Sequence, residues 1–162
     1  TLMFAPVKKE ATDFIIEKAT ELGVAVLQPV LSERTQTRTV RTDRFRRIVI
    51  EAAEQTERLD LPQIRDAETL TRALAALDIN TPLLFCDEAG GGQPMARIAQ
   101  SLNAGPVAIL IGPEGGFTGE EREQLRRLPY VTAISLGPRI MRADTAAISA
   151  LTLVQVALGD WT

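Results

Sequence analysis

Short, unbroken apolar runs recur along this chain between segments of helical periodicity, and that alternation constrains the fold more than any other feature. Pro82-Leu-Leu-Phe-Cys86 and Val107-Ala-Ile-Leu-Ile111 have no polar residue within them. A strand apolar on both faces must be covered on both, which favours a parallel sheet sandwiched by helices. Leu2 to Val7, Val24 to Leu31 and Val131 to Leu136 read as further strands, with Pro29 suggesting an edge position or an early end for the second. Helices are expected from about 11 to 22, stopped by Gly23, and from a Thr42 or Asp43 cap to about Glu57. Others run from an Asp66 cap to Leu77, from Met95 to Leu102, and from Asp144 to about Leu158. Leu61 to Ile64 reads as a connector. With 162 residues, 45% of them hydrophobic, one domain accounts for the chain.

Composition removes whole classes of chemistry. There is no histidine and one cysteine, Cys86, so imidazole-based nucleophilic catalysis, an internal disulfide and a Cys/His zinc site are all excluded. No metal is expected. The run Thr145 to Leu158 is shorter than the roughly 20 apolar residues of a membrane span, and the start lacks a signal-peptide pattern. A cytoplasmic protein, away from membranes, is the expectation. A beginning at Thr1 inside an apolar run suggests a missing N-terminal portion. The net charge of −3 argues against non-specific coating of nucleic acid. Arg34, Arg38, Arg41, Arg44, Arg46 and Arg47 nevertheless form a basic segment, either a solvated face or a contact for RNA phosphate.

Ligands of open parallel sheets bind beyond the carboxyl ends of the strands. Three such places carry unusual residues: Cys86-Asp-Glu88, Ile111 to Gly116, and Leu136-Gly-Pro-Arg-Ile-Met-Arg142. In the second, Gly112 precedes Pro113, while Gly115 and Gly116 permit positive φ and close approach of backbone to a ligand. Thr118-Gly-Glu-Glu121 matches a capping box. No Gly-Lys-Ser/Thr follows, so the loop is not a phosphate-binding P-loop, and Gly90-Gly-Gly92 lacks the third glycine of a dinucleotide fingerprint. The stretch from Asp87 to Pro94 is either a surface connector or a loop over a site. Arg139 and Arg142, flanking Ile140 and Met141, could hold a phosphate or carboxylate beside a ring, or make ordinary surface ion pairs. Cys86 reads as a small buried apolar residue.

Ile-Gly-Pro-Glu-Gly-Gly-Phe-Thr at 111 to 118 and Leu-Gly-Pro-Arg-Ile-Met-Arg-Ala-Asp-Thr-Ala at 136 to 146 together resemble the RsmE-type ribosomal small-subunit RNA uridine-N3 methyltransferases of the SPOUT class. Lys-Ala-Thr-Glu-Leu-Gly at 18 to 23, Ser-Glu-Arg at 32 to 34 and Glu-Ala-Ala-Glu-Gln at 51 to 55 extend the resemblance over nearly the whole chain. The family usually has Leu-Arg-Thr-Glu-Thr-Ala where this chain has Met-Arg-Ala-Asp-Thr-Ala. Met141 keeps volume, Asp144 keeps charge and cap character, and Ala143 loses a hydroxyl.

The resemblance implies an α/β fold: a mainly parallel sheet with helices on both faces and a C-terminal trefoil knot. Residues 1–162 would form the catalytic domain, without the small N-terminal β-barrel RNA-binding domain of the family. It further implies a homodimer, to which the nearly uncharged last helix adds an independent hint. The implied activity is methylation of N3 of a uridine in 16S ribosomal RNA, with S-adenosylmethionine as cofactor. The same resemblance admits a different RNA nucleotide as target, or a non-catalytic RNA-binding module on this fold. Cys86, Glu88, Ile111, Gly112, Pro113, Glu114, Gly115, Gly116, Leu136, Gly137, Ile140, Met141, Arg142 and Thr145 are the expected cofactor contacts. Arg142, Glu114 and Arg139 are the candidates for catalysis.

Overall fold

The computed structural model describes residues 1–102 and 105–161. Within them every strand pairing is parallel. The elements are β1 (Leu2–Phe4), α1 (Lys9–Glu21), β2 (Val26–Leu31), α2 (Thr42–Gln55), β3 (Gln63–Ile64), β4 (Glu68–Thr69) and α3 (Leu70–Ala75). They continue as β5 (Leu83–Cys86), β6 (Gln93–Pro94), α4 (Met95–Ala99), β7 (Ala108–Ile111), α5 (Gly119–Arg127), β8 (Val131–Ser135) and α6 (Ala143–Leu158). The sheet runs β3-β2-β1-β7-β5-β8-β6, and β4 also pairs with β2.

Side chains alternate between two cores, as the pleat requires. Leu2, Phe4, Ile109 and Ile111 join α1, α2 and α6 on one face. Met3, Phe85, Ala108 and Leu110 join α3 and α5 on the other. Both apolar runs in the middle of the sheet are thus covered on both sides, as their composition demanded.

The structure corrects several local expectations. Pro29 does not end β2 or place it at an edge, because β2 is flanked by β1 on one side and by two short strands on the other. Pro29 sits opposite the gap between β3, which pairs at Val26 and Leu27, and β4, which pairs at Val30 and Leu31. The buried Gln28 side chain fills that gap, its Nε2 donating to the Asp66 carbonyl at 2.8 Å. Asp66 therefore caps nothing, and α3 begins at Leu70 under the Thr69 hydroxyl, which accepts from the Arg72 amide. Likewise α2 starts after Arg41 without a side-chain cap and ends at Gln55, two residues before Glu57 with its φ of 56°. α6 begins after Arg142, while Asp144 lies in its first turn and accepts from the Thr145 amide at 2.7 Å. α4 stops at Ala99, and the connectors at 61–64 and 87–94 each contain a two-residue strand. No helix among the described residues is long and apolar enough to cross a membrane.

β8 lies between β5 and β6, although both precede it in the chain. Ile134 pairs with Cys86 on one side and Gln93 on the other. The connector 87–92 therefore straddles the end of β8, and Gly92 is pressed against it: a Cβ there would come within 2.8 Å of the Ser135 amide nitrogen. Backbone cannot yield as a side-chain tip can. Gly92→Ala should lower stability by about 2–3 kcal/mol, measured as a reduced urea midpoint. An unchanged midpoint would show that the crossing is loose.

Candidate active site

The three loops singled out in the sequence meet at the carboxyl edge of the sheet. The loop after β5 and the loop after β8 enclose one cavity of about 310 Å³, lined in part by Cys86, Glu88, Leu136, Gly137, Arg139 and Ile140. A second of similar size lies between the loop after β7 and the start of α6. Ile111, Gly112, Pro113, Glu114 and Arg142 belong to it. Cys86, Glu88, Ile140, Met141 and Ala146 line both, so the two share a wall. Volumes of this size suit small-molecule ligands.

The loop after β7 is held by carboxylates. Glu121 completes the expected capping box: the Thr118 hydroxyl accepts from its amide at 3.2 Å, and its own Oε2 accepts from the Thr118 amide at 2.9 Å. Its other oxygen accepts from the Glu33 amide at 2.8 Å, tying the loop to the end of β2. Glu88 crosses from the loop after β5, accepting from the Phe117 amide at 3.0 Å and pairing with Arg122 at 3.5 Å. Asp87 is buried, accepts from the Ala89 amide and pairs with Arg126 of α5. Capping-box spacing pointed to Glu121 alone. Position after a strand pointed to Asp87 and Glu88 but not to their partners Arg122 and Arg126, which lie about 35 to 40 positions away in the chain.

The glycines of this loop serve different neighbours. Gly116 has φ 67° and lies against Glu88, whose Cδ a Cβ would approach to 2.8 Å. Gly112 makes room for Phe117: a Cβ would lie 2.6 Å from its ring. That ring is buried edge-on against Phe85 at 5.2 Å, a packing the sequence reading missed. Gly115 does not have positive φ. A Cβ on it would make ordinary contact with Arg34 at 3.5 Å, and its carbonyl accepts from Arg34 Nη1 at 3.0 Å. Gly112 and Gly116 are thus required by the packing of Phe117 and Glu88, whereas Gly115 is not.

Thr145 stands apart. It is exposed, lines neither cavity, and its hydroxyl rests on Asp144. Arg139 and Arg142 are exposed and, among the described residues, neither is in an ion pair. Ile140 between them is 84% exposed at the lip of both cavities. An isoleucine so exposed beside two free cations is poorly placed for stability and well placed for a ligand with an apolar face.

Comparison with known proteins decides the family. Residues 1–155 match the family described as an RNA methyltransferase domain. The chain belongs to that family. A ribosomal RNA small subunit methyltransferase E from Rickettsia conorii is 38% identical, aligned over 96% of this chain and 64% of its own length. The namesake from Neisseria gonorrhoeae, solved bound to S-adenosyl methionine, superposes with a TM-score of 0.86 at 31% identity, over 99% of this chain and 67% of that one. A tRNA-modifying enzyme of the TrmH/SpoU type from Aquifex aeolicus shares the fold at 13% identity and a TM-score of 0.61, over 95% of this chain and 72% of its own. The domain spans just under two thirds of the Rickettsia relative.

Cys86, in the wall shared by the two cavities, is not activated as a nucleophile. Burial, with the Glu88 charge nearby, pushes its thiol up to about 12. The neutral thiol therefore persists in the folded state while an unfolded chain ionises near 9, and alkali between those values favours unfolding. Iodoacetamide at pH 8.5 should alkylate Cys86 about a thousandfold more slowly in the folded domain than in urea. Comparable rates, followed by mass spectrometry, would mean that the thiol is solvated.

Proposed function

We propose that this chain is the SPOUT-type catalytic domain of an enzyme that methylates N3 of a uridine in 16S ribosomal RNA. S-adenosylmethionine is its cofactor, and it works in the cytoplasm as a homodimer. The observation that carries the reading is the pair of cavities sharing Ile140 and Met141, built by the two motifs that resemble the family.

The residues fit the cofactor. Leu136, Ile140, Met141 and Ile111 offer apolar contact for an adenine ring. Nothing lies within 4 Å of where a Cβ of Gly137 would stand, so its backbone is open to a ligand. When bound, S-adenosylmethionine supplies a methyl group on a sulfonium, which becomes a neutral thioether once the acceptor nitrogen has formed the new bond. The chain must orient the acceptor and manage its proton. Glu114 is an exposed carboxylate of the second cavity, and Arg142 lines that cavity too. Glu114 takes the imide proton, Arg142 steadies the resulting negative charge, and Arg139 at the first cavity holds a carboxylate or phosphate.

The connector 87–92 passing over β8 supports a trefoil knot, with the chain after Ser135 threaded beneath it. The dimer is supported by α6, whose Leu153 and Val156 are 39% and 57% exposed on the face away from the buried Ala147, Ala150 and Leu151.

Isothermal titration of the protein with S-adenosylmethionine should give saturable binding, and Ile140→Glu should weaken it about 10-fold or more. The wild-type protein should also form N3-methyluridine in small-subunit RNA from a strain lacking the enzyme, read by nucleoside mass spectrometry. A folded sample that binds no cofactor would refute the reading.

A further inference from the structure

A third cavity, of about 570 Å³, adjoins the second and shares Glu114, Arg142 and Ala143 with it. It opens between the β1–α1 loop and the first turn of α6, and the proposed cofactor loops reach only its rim. We propose that it is the acceptor-base pocket, in which the nucleobase stacks on Phe14. This assignment rests on the methyl-transfer reading above.

Phe14 is the anomaly that points there. Phe4, Phe45, Phe85 and Phe117 are all buried to within 4% of full coverage, whereas Phe14 is 42% exposed and lines this cavity. The Lys18 ammonium lies 5.7 Å from its ring centroid and is itself paired with Glu17 and Glu21. The ring is thus held to α1 while part of it faces solvent. Val7 and Ala11 add apolar wall, and this wall is fixed in advance: the buried Thr12 hydroxyl accepts from the Val7 amide and donates to the Val7 carbonyl, both at 3.0 Å.

The polar lining selects among ligands. Lys8 and Arg142 face three carboxylates, Glu10, Glu114 and Asp144. A free phosphate would meet more negative than positive charge, and a wholly apolar ligand would strip water from all five groups. A nucleobase has a flat apolar face for Phe14 and an edge of both donors and acceptors for this mixed set. Glu114 and Arg142 stand in the wall common to both cavities, where a base edge meets a methyl donor. To enter, the base must leave its stack.

The test uses the ribosomal RNA fragment that the wild-type protein methylates. Phe14→Ala should lower kcat/KM for that RNA about 10-fold or more, leave S-adenosylmethionine affinity within twofold, and leave the sedimentation coefficient unchanged. Phe14→Trp should restore most of the activity. Its fluorescence should be quenched by the RNA fragment in the presence of S-adenosylhomocysteine, but not by the same fragment carrying an abasic site in place of the methylated uridine. Wild-type turnover with Phe14→Ala equally active would overturn the pocket alone. So would equal quenching by both fragments, or loss of activity that tracks a change in sedimentation. A wild-type protein that binds cofactor yet methylates no RNA would overturn the functional reading, and the pocket with it.

Discussion

The structure depends on a single topological constraint: β8, the last strand made, occupies a place between two strands that precede it. Ile134 is flanked by Cys86 and Gln93, so the connector joining those two residues must cross the end of β8. This crossing brings 136–142 beside 86–90 without any proximity in sequence. It also explains why the connector ends in glycine, since only a residue without a Cβ can lie against the Ile134–Ser135 backbone. Because every strand is parallel, the third loop, after β7, leaves the sheet at the same edge. Three distant loops then form adjoining cavities.

Loops with such duties need anchors, and carboxylates supply them. Glu121 divides its two oxygens between the Thr118 and Glu33 amides, joining a helix start to the end of β2. Glu88 binds the Phe117 amide and Arg122, and Asp87 binds Arg126. Each carboxylate accepts from backbone or guanidinium donors across a loop, and such charge-assisted hydrogen bonds are strong. By contrast Arg139, Ile140 and Arg142 are held by nothing comparable. The loops are fixed by contacts within the protein, while Arg139, Ile140 and Arg142 remain exposed at the cavities.

The sequence made the sheet legible wherever apolar composition was decisive. The runs at 82–86 and 107–111 became β5 and β7, short apolar runs being what a doubly covered strand needs and too brief for a buried helix. The capping box at 118–121 was equally legible, its geometry being local. What failed was whatever depended on a distant partner. Pro29 looked like a strand breaker because the gap between β3 and β4, and the Gln28 side chain bridging it, lie across the sheet. The second demand on Gly112 was hidden, because the Phe117 ring that occupies the space of its Cβ folds back from five residues on. Asp66 and Asp144 looked like helix caps on residue type alone, and in each case the backbone begins its helix elsewhere. The three site loops were found by their glycines and arginines, whereas the cavity beside Phe14 had no motif at all.

The position of β8 has a consequence for synthesis. A chain leaving the ribosome presents β5 and β6 some forty residues before the strand that must lie between them. Until then the edge of β5 that β8 will occupy has no partner, and the apolar Leu84 lacks the Ile134 part of its packing. The nascent chain can complete the β2-β1-β7-β5 part of the sheet, but the remainder must wait for β8. Folding of this domain is therefore a late event in its own translation, and the interval before it is when an unpaired strand edge is open to other chains.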